Sequence, residues 1–227
     1  MRINQKGFTL IEIAIVLVII GLLLGGVLKG QELIQNARVR NIIAQQDGVK
    51  AAFFGFQDRY RGIPGDYLIA SANANIPNAG NTCGGDGNSL IDTVSGGVAE
   101  SICAWYHLSR AGFISGNYNG IGATSAAANA STANSPANPF GGLMQIVFDG
   151  LYLDAVAVPP SVHNIKTGTN IPATVLAEVD RKIDDGLPAT GNFRFSTWQG
   201  STAANCINGA NWAILSTATQ CGGVSLF

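Results

Sequence analysis

From Phe8 to Leu28 the chain is apolar for 21 residues, with only two strongly polar side chains, those of Thr9 and Glu12. A helix of this length crosses the roughly 30 Å of hydrocarbon in a bilayer, because each residue adds about 1.5 Å. Arg2 and Lys6 precede the run, so the positive-inside rule predicts a cytoplasmic N-terminus and translocation of the remaining chain. No small-residue cleavage site closes the run, and the helix is expected to stay with the mature protein.

The residues at the start of this run resemble a known signature. Lys6-Gly7-Phe8-Thr9-Leu10-Ile11-Glu12, followed by an apolar helix, is similar to the prepilin signature of type IV pilins and type II secretion pseudopilins. The resemblance implies that a membrane aspartyl protease, the prepilin peptidase, cuts between Gly7 and Phe8, and that Phe8 is then methylated. It also implies that Glu12 is the residue on which assembly depends.

Glu12 is also a functional candidate on physical grounds, since a carboxylate inside an apolar membrane segment is costly and needs a partner. A local alternative exists. Thr9-x-x-Glu12 has the spacing of a capping box, in which Glu12 accepts a hydrogen bond from the backbone N–H of Thr9. The two roles are compatible, and the sequence leaves both open.

Apolar residues continue at helical spacing beyond the membrane segment. They recur in steps built from threes and fours and predict one amphipathic stripe: Val39, Ile42, Val49, Phe53, Phe56 and Tyr60. We therefore predict one helix from about Phe8 to Arg61, ended by Gly62-Ile63-Pro64-Gly65. The predicted organisation is a leader over 1–7, a transmembrane half over 8–28, an amphipathic half over 29–61 and a globular head over 62–227.

The head is predicted to be of the α+β class, with the long helix packed on a small antiparallel sheet. Its predicted helices are Val98–Ala111, stopped by Gly112, and Pro172–Asp185. The two strand-like runs beside Asp149-Gly150 predict a hairpin, and two further strands follow: Met144–Phe148 with Leu151–Val158, then Phe193–Trp198 and Trp212–Leu215. Residues 66–97 have an irregular pattern, and the low-complexity stretch 120–139 predicts a mobile surface loop.

Four cysteines fall in the head, at Cys83, Cys103, Cys206 and Cys221, without C-x-x-C spacing. An even number behind an export-type N-terminus indicates disulfides in an oxidising compartment, although four cysteines allow three connectivities. Sequence proximity favours Cys83–Cys103 and Cys206–Cys221.

Composition argues against several classes of function. The chain has 13 basic and 14 acidic residues with no run of like charge, so nucleic acid is not the expected partner. A charged fraction of 12% is about half that of an average soluble domain and suits close self-association. No catalytic motif is built on the two histidines, His107 and His163, and we expect His107 to be a packing or hydrogen-bonding residue rather than a ligand.

Calcium is the one ion for which the sequence offers candidate ligands. Asp180, Asp184 and Asp185 crowd the end of a predicted helix, where the helix dipole disfavours negative charge. Arg181 and Lys182 could balance them instead as ordinary neighbours. A second, weaker candidate is Asp86-Gly87-Asn88 with Asp92, which has a partial EF-hand spacing without the terminal glutamate, and no other cofactor is indicated.

Together these features predict a structural protein that waits in the bacterial inner membrane with its head outside the cytoplasm. The resemblance implies polymerisation with identical or related pilin subunits on an inner-membrane assembly platform, giving a type IV pilus-like filament. A type II secretion pseudopilus at the periplasmic side is the alternative. A membrane-anchored minor pilin, acting as an adhesin or DNA-binding tip module, is the alternative of another class.

Overall fold

The structure is a computed structural model that describes residues 9–80, 83–92, 94–95, 98–122 and 129–227. The chain divides into two compact units, residues 1–38 and 39–227. Helix α1 spans Leu10–Tyr60 as one element of 51 residues. It ends at Tyr60, because the next residue, Arg61, has a φ of 54° and so leaves the right-handed helical region. The predicted long helix is confirmed over these residues, whereas Phe8 lies outside the described part.

In the first unit, α1 is exposed along its whole apolar run, and no residue from Leu10 to Leu28 is buried. Among the described residues, α1 is the one helix whose length and composition suit a membrane crossing. An apolar surface on all sides of a helix is typical of a membrane span and not of a helix that faces water.

In the second unit, α1 supplies one face of the core. The buried residues of this face follow helical spacing and include most of the predicted stripe: Val39, Ile42, Gln46, Val49, Ala52, Phe53 and Phe56. Around Phe56 they pack with Trp105 and Leu108, and around Ile42 they pack with Leu176 and Phe195. The amphipathic half of α1 therefore contributes to two hydrophobic clusters.

The main sheet has four antiparallel strands in the spatial order β3 (Gln145–Asp149), β4 (Val162–Lys166), β8 (Gly222–Leu226) and β5 (Phe193–Ser196). Its register pairs Ile146 with Ile165, Ile165 with Ser225, and Phe193 with Ser225. Together with α1 and the shorter helices, this confirms the α+β class. The strands are β1 (Val94–Ser95), β2 (Val98–Ala99), β3 (Gln145–Asp149), β4 (Val162–Lys166), β5 (Phe193–Ser196), β6 (Ile207–Asn208), β7 (Asn211–Trp212) and β8 (Gly222–Leu226).

Within the described residues, four α-helices follow α1: α2 (Ile69–Asn75), α3 (Glu100–Arg110), α4 (Ala173–Ile183) and α5 (Ala203–Cys206). The predicted helices over 98–111 and 172–185 are thus present with shorter bounds, because Val98 and Ala99 belong to β2 instead. Gly112, with a φ of 78°, lies directly after the end of α3 as predicted. Helix α2 was not predicted within the irregular stretch 66–97.

The predicted hairpin at Asp149-Gly150 is wrong in its second strand. Strand β3 pairs with β4 and not with Leu151–Val158, so twelve residues connect the two strands. Tyr152 instead bridges to Ser196 of β5, and Pro159-Pro160 follows Leu151–Val158 directly. Two prolines remove backbone donors, and Leu151 and Val158 are exposed, so the apolar run does not continue as a ladder.

Two smaller predictions also need correction. Of the predicted strand Trp212–Leu215, only Trp212 lies in a paired strand, β7 (Asn211–Trp212), while Leu215 is 93% exposed. In the low-complexity stretch, the described part contains buried side chains, among them Asn134 and Asn138. Asn138 donates from Nδ2 to the carbonyls of Thr167 and Thr169, so this part is tied to the head and is not a surface loop.

Candidate functional site

The N-terminal turn of α1 contains the predicted assembly residue. Glu12 Oε2 accepts hydrogen bonds from the backbone N–H of Thr9 at 2.7 Å and from the Thr9 hydroxyl at 2.8 Å. The backbone N–H of Glu12 donates in return to Thr9 Oγ1 at 3.3 Å. This is a capping box at the exposed start of the helix, so the local role of Glu12 is realised within a single chain. Gly7 and Phe8, the predicted processing residues, lie outside the described part of the chain.

The cysteines form two disulfides in the second unit. Cys83 is bonded to Cys103 in α3, and Cys206 in α5 is bonded to Cys221 next to β8. These are the pairs that sequence proximity favoured. The first links the loop after α2 to a helix, and the second fixes the C-terminal strand to α5. All four sulfurs are buried.

The three aspartates predicted to bind calcium do come together. One ligand oxygen from each of Asp180, Asp184 and Asp185 lies within 4.8 Å of the others. Asp180 is buried, and its carboxylate accepts hydrogen bonds from Trp212 Nε1 at 2.7 Å and from the backbone N–H of Gly186 at 3.0 Å. Burial raises the pKa of Asp180 to about 6.

The other two carboxylates fasten the chain that follows α4. Asp184 Oδ2 accepts from the backbone N–H groups of Asn192 and Phe193, the latter at 2.8 Å. Asp185 accepts from the hydroxyl of Thr190 at 2.5 Å, and this bond lowers the pKa of Asp185. The turn between α4 and β5 is therefore organised by N–H and O–H donors, which is a complete structural role for these residues without an ion.

The second acidic candidate has different members from those predicted. Oxygens of Asp66, Asp86 and Glu100 lie within 4.8 Å of one another, whereas Asp92 contributes its backbone N–H to Glu100 Oε2 at 3.1 Å. Asp66 accepts from the N–H groups of Gly87 and Ser89, both at 2.6 Å. Burial raises the pKa of Asp66. This cluster fastens residues 86–89, and the sequence could not indicate Glu100 because it lies in a separate helix.

The two histidines are packing residues in the structure. His107 is fully buried: its Nδ1 accepts from the Gly65 N–H at 3.0 Å, and its Nε2 lies 3.3 Å from the carbonyl of Cys83. We assign the proton to Nε2, since Nδ1 is used as an acceptor. Burial lowers the pKa of His107 to about 4, so the ring is neutral at pH 7. His163 lies against Phe53 and Phe148.

Two largely shielded ion pairs of the head, in which only Lys166 is fully buried, were not predicted from sequence. Lys166 Nζ lies 2.5 Å from Asp149 Oδ2 across β3 and β4, and Arg194 of β5 pairs with Asp154. Each joins residues far apart in the chain, and a local pattern cannot signal such a pair. Burial lowers the pKa of Lys166, with Asp149 opposing the shift.

Comparison with known proteins gives one match. Residues 2–28 match the family model described as the prokaryotic N-terminal methylation motif, which is the signature of type IV pilins and pseudopilins. No curated protein and no solved structure is significantly similar to the chain. The chain thus carries the N-terminal segment of a type IV pilin-like or pseudopilin precursor, and the motif indicates a structural subunit rather than an enzyme.

Proposed function

We propose that this protein is a structural subunit of a type IV pilus-like filament. Prepilin peptidase removes residues 1–7, Phe8 becomes the methylated N-terminus, and the mature subunit polymerises through α1. The observation that carries the proposal is the methylation motif at residues 2–28, joined to an apolar helix with a single carboxylate near its start. Such motifs imply processing by the peptidase and assembly with other pilin subunits.

The exposed surface of α1 supports two successive environments for the subunit. Before assembly, residues 8–28 span the inner membrane, with the head on the outer side. In the filament, the same apolar surface is covered by the helices of neighbouring copies. The bilayer and the packed filament both keep these apolar side chains out of water. A subunit that leaves the bilayer must therefore pack against other copies.

The properties of the head agree with this location. Two buried disulfides are typical of an oxidising compartment, outside the cytoplasm. The whole chain has a charged fraction of only 12%, which leaves little repulsion between subunits that lie close together. The domain limits that we propose are a leader over 1–7, a membrane half over 8–28, an amphipathic half over 29–61 and a head over 62–227.

Assembly through Glu12 follows from the cost of charge in an apolar interior. Cleavage after Gly7 creates a positive amine on Phe8, and packed helices would strand both this amine and the Glu12 carboxylate. Pairing Glu12 of one copy with Phe8 of its neighbour resolves both at once. Misaligned copies leave the two charges unpaired, so the pair sets the register of the polymer.

Processing and location test the proposal together. Intact mass of protein extracted from membranes and from sheared filaments should show a chain that begins at methylated Phe8. A chain that begins at Met1, or one cut after Leu28, would contradict the processing step. A Gly7→Val variant is the control and should remain unprocessed in the membrane.

The fate of the processed subunit separates the possible filaments. Abundant recovery in sheared surface filaments supports the pilus. Absence from these filaments, combined with loss of protein secretion on gene deletion, indicates a pseudopilus. A few copies per filament, with loss of adhesion or DNA uptake, indicates a minor pilin.

A further inference from the structure

A groove with a volume of about 430 Å³ opens on the second unit. One side is α1, where Gly48 is exposed, Gln45 is half-buried and Val49 is buried, and the other side comes from α3 and the residues after it. None of the described residues that line the groove carries a charge. Its accessible apolar side chains are those of Phe113, Ile114 and Tyr118, which are half-buried, whereas Trp105 and Met144 also line it but are buried in the core.

Gly48 is the unusual member of this groove. Glycine weakens the interior of a helix relative to alanine. A Cβ atom at Gly48 would meet nothing within 4 Å, so no contact within the described chain requires a glycine there. Ala44 and Ala51, one turn away on either side, are exposed as well. Because these three residues have short side chains or none, little projects from α1 beside the groove, and another helix can approach closely.

The same chain presents an apolar segment that lacks cover. Leu33 and Ile34 lie beyond the membrane-length run and are 60% and 58% exposed. They are the two large aliphatic residues between Leu28 and Val39. Polar residues flank them, so the bilayer does not account for them as it does for residues 8–28.

We propose that the groove receives Leu33 and Ile34 from α1 of a second copy of this chain. The inference rests on the proposed function, because a filament that packs the α1 helices together brings the segment of one copy beside the head of another. The groove of one copy and the Leu33–Ile34 segment of the other are different surfaces of the same sequence, so the contact between the two copies is heterologous. Repeating such a contact gives an open polymer and not a closed dimer, as a filament requires.

The groove suits this occupant better than the alternatives. A nucleic acid needs cationic side chains to neutralise its phosphates, and the described lining has neither Lys nor Arg. Two aliphatic side chains need neither charge nor a hydrogen bond. The half-buried side chains of Phe113, Ile114 and Tyr118 supply apolar contact in the groove beside Gly48.

Disulfide trapping tests the contact directly. All four native cysteines are bonded in the structure, so new thiols can be placed without a competing partner. The double variant Ile34→Cys with Gly48→Cys should give a ladder of covalent multimers when intact filaments are oxidised. Each single variant should remain monomeric on a non-reducing gel.

A pair outside the groove is the control. Ile34→Cys with Asp58→Cys places the second thiol on an exposed position of the same helix. Absence of a ladder from the groove pair, or an equal ladder from this control pair, would overturn the inference. Dimers from the single Ile34→Cys variant would also overturn it, because they would place identical positions of two copies together.

Filling the groove is the second test. Gly48→Leu should leave processing and melting temperature intact, since the added atoms enter open space, while filament yield falls at least tenfold. Gly48→Ala adds only one methyl group and is the graded comparison: it should lower filament yield less than Gly48→Leu does. Filaments at the wild-type level from Gly48→Leu contradict the docking. Failure of the wild-type chain to enter any filament contradicts the proposed function itself, and the inference fails with it.

Discussion

The backbone N–H and the hydroxyl of Thr9 both donate to one oxygen of Glu12, at 2.7 Å and 2.8 Å. The carboxylate therefore has local partners before any second chain approaches. A subunit that waits in the membrane gains from this arrangement, because two donors reduce the cost of a polar group in apolar surroundings. In the assembly that we propose, Glu12 would gain the Phe8 amine of a neighbour or exchange Thr9 for it.

Replacing Glu12 should separate its capping role from its assembly role. Glu12→Gln should be exported, cut after Gly7 and folded normally, while filaments fall to the background of a strain that lacks the gene. Thr9→Val removes the hydroxyl of the cap and is the matched control. Loss of an N-cap costs a helix about 0.5–2 kcal/mol, which is too little to abolish a polymer held by many contacts. The measurement is the filament yield after shearing. An equal loss of filaments in both variants would show that Glu12 acts only as a helix cap.

His107 should make the head less stable in acid. The unfolded chain binds a proton at His107 below about pH 6.5, whereas the folded chain does so only below about 4. Stability is therefore lost as the pH falls through this window, by about 2–3 kcal/mol between pH 7 and 4.5. Asp180, with a pKa raised to about 6, acts in the opposite direction because its folded form binds the proton more readily.

The contribution of His107 is isolated by comparison with His107→Gln. Glutamine can accept from Gly65 and donate to the Cys83 carbonyl without titrating. Chemical denaturation of detergent-solubilised protein at both pH values gives the two differences in stability. A wild type and a variant that lose the same stability on acidification would show that His107 does not carry the effect.

The disulfides should contribute unequally to different parts of the head. Replacing Cys206 and Cys221 by serine should lower the free energy of unfolding by about 2–4 kcal/mol and loosen the C-terminal strand. Hydrogen exchange should rise first in β8, which follows Cys221 directly. Non-reducing peptide mapping of the wild type checks the connectivity: recovery of a peptide joining Cys103 to Cys206 would contradict both pairs. The double replacement of Cys83 and Cys103 is the control, and its exchange should rise near α3 instead.

Calcium at the end of α4 is a prediction that melting curves can decide. If Asp180, Asp184 and Asp185 bind the ion, excess calcium should raise the melting temperature of the wild type above its value in chelator. Asp185→Asn should abolish that difference, and Asp86→Asn, in the other acidic cluster, is the control. Identical melting curves in calcium and chelator would contradict calcium binding. The carboxylates would then be satisfied by the hydrogen bonds that they accept within the chain.

Much of the fold follows from local patterns in the sequence. The spacing of Val39, Ile42 and Phe56 fixes which face of α1 is buried, because a regular helix repeats every 3.6 residues. Leu176 and Val179 do the same for α4. The apolar run and the motif at residues 2–28 likewise depend only on neighbours in the chain.

Only the tertiary structure decided which distant segments meet. Strand β3 pairs with β4 and not with the nearer segment Leu151–Val158, because that segment is followed by two prolines and its Tyr152 bridges to β5. The turn signal at Asp149-Gly150 does not indicate either of these features. Glu100 joins Asp66, and Trp212 joins Asp180, through folding that brings separate elements together. The sequence by itself determined the apolar N-terminal helix, its methylation motif and the class of the head, since these arise from composition and short-range spacing. Strand order, the buried carboxylates and the groove beside Gly48 depend on long-range packing. The free energy of this packing is shared among many residues, so no single residue or local pattern predicts it.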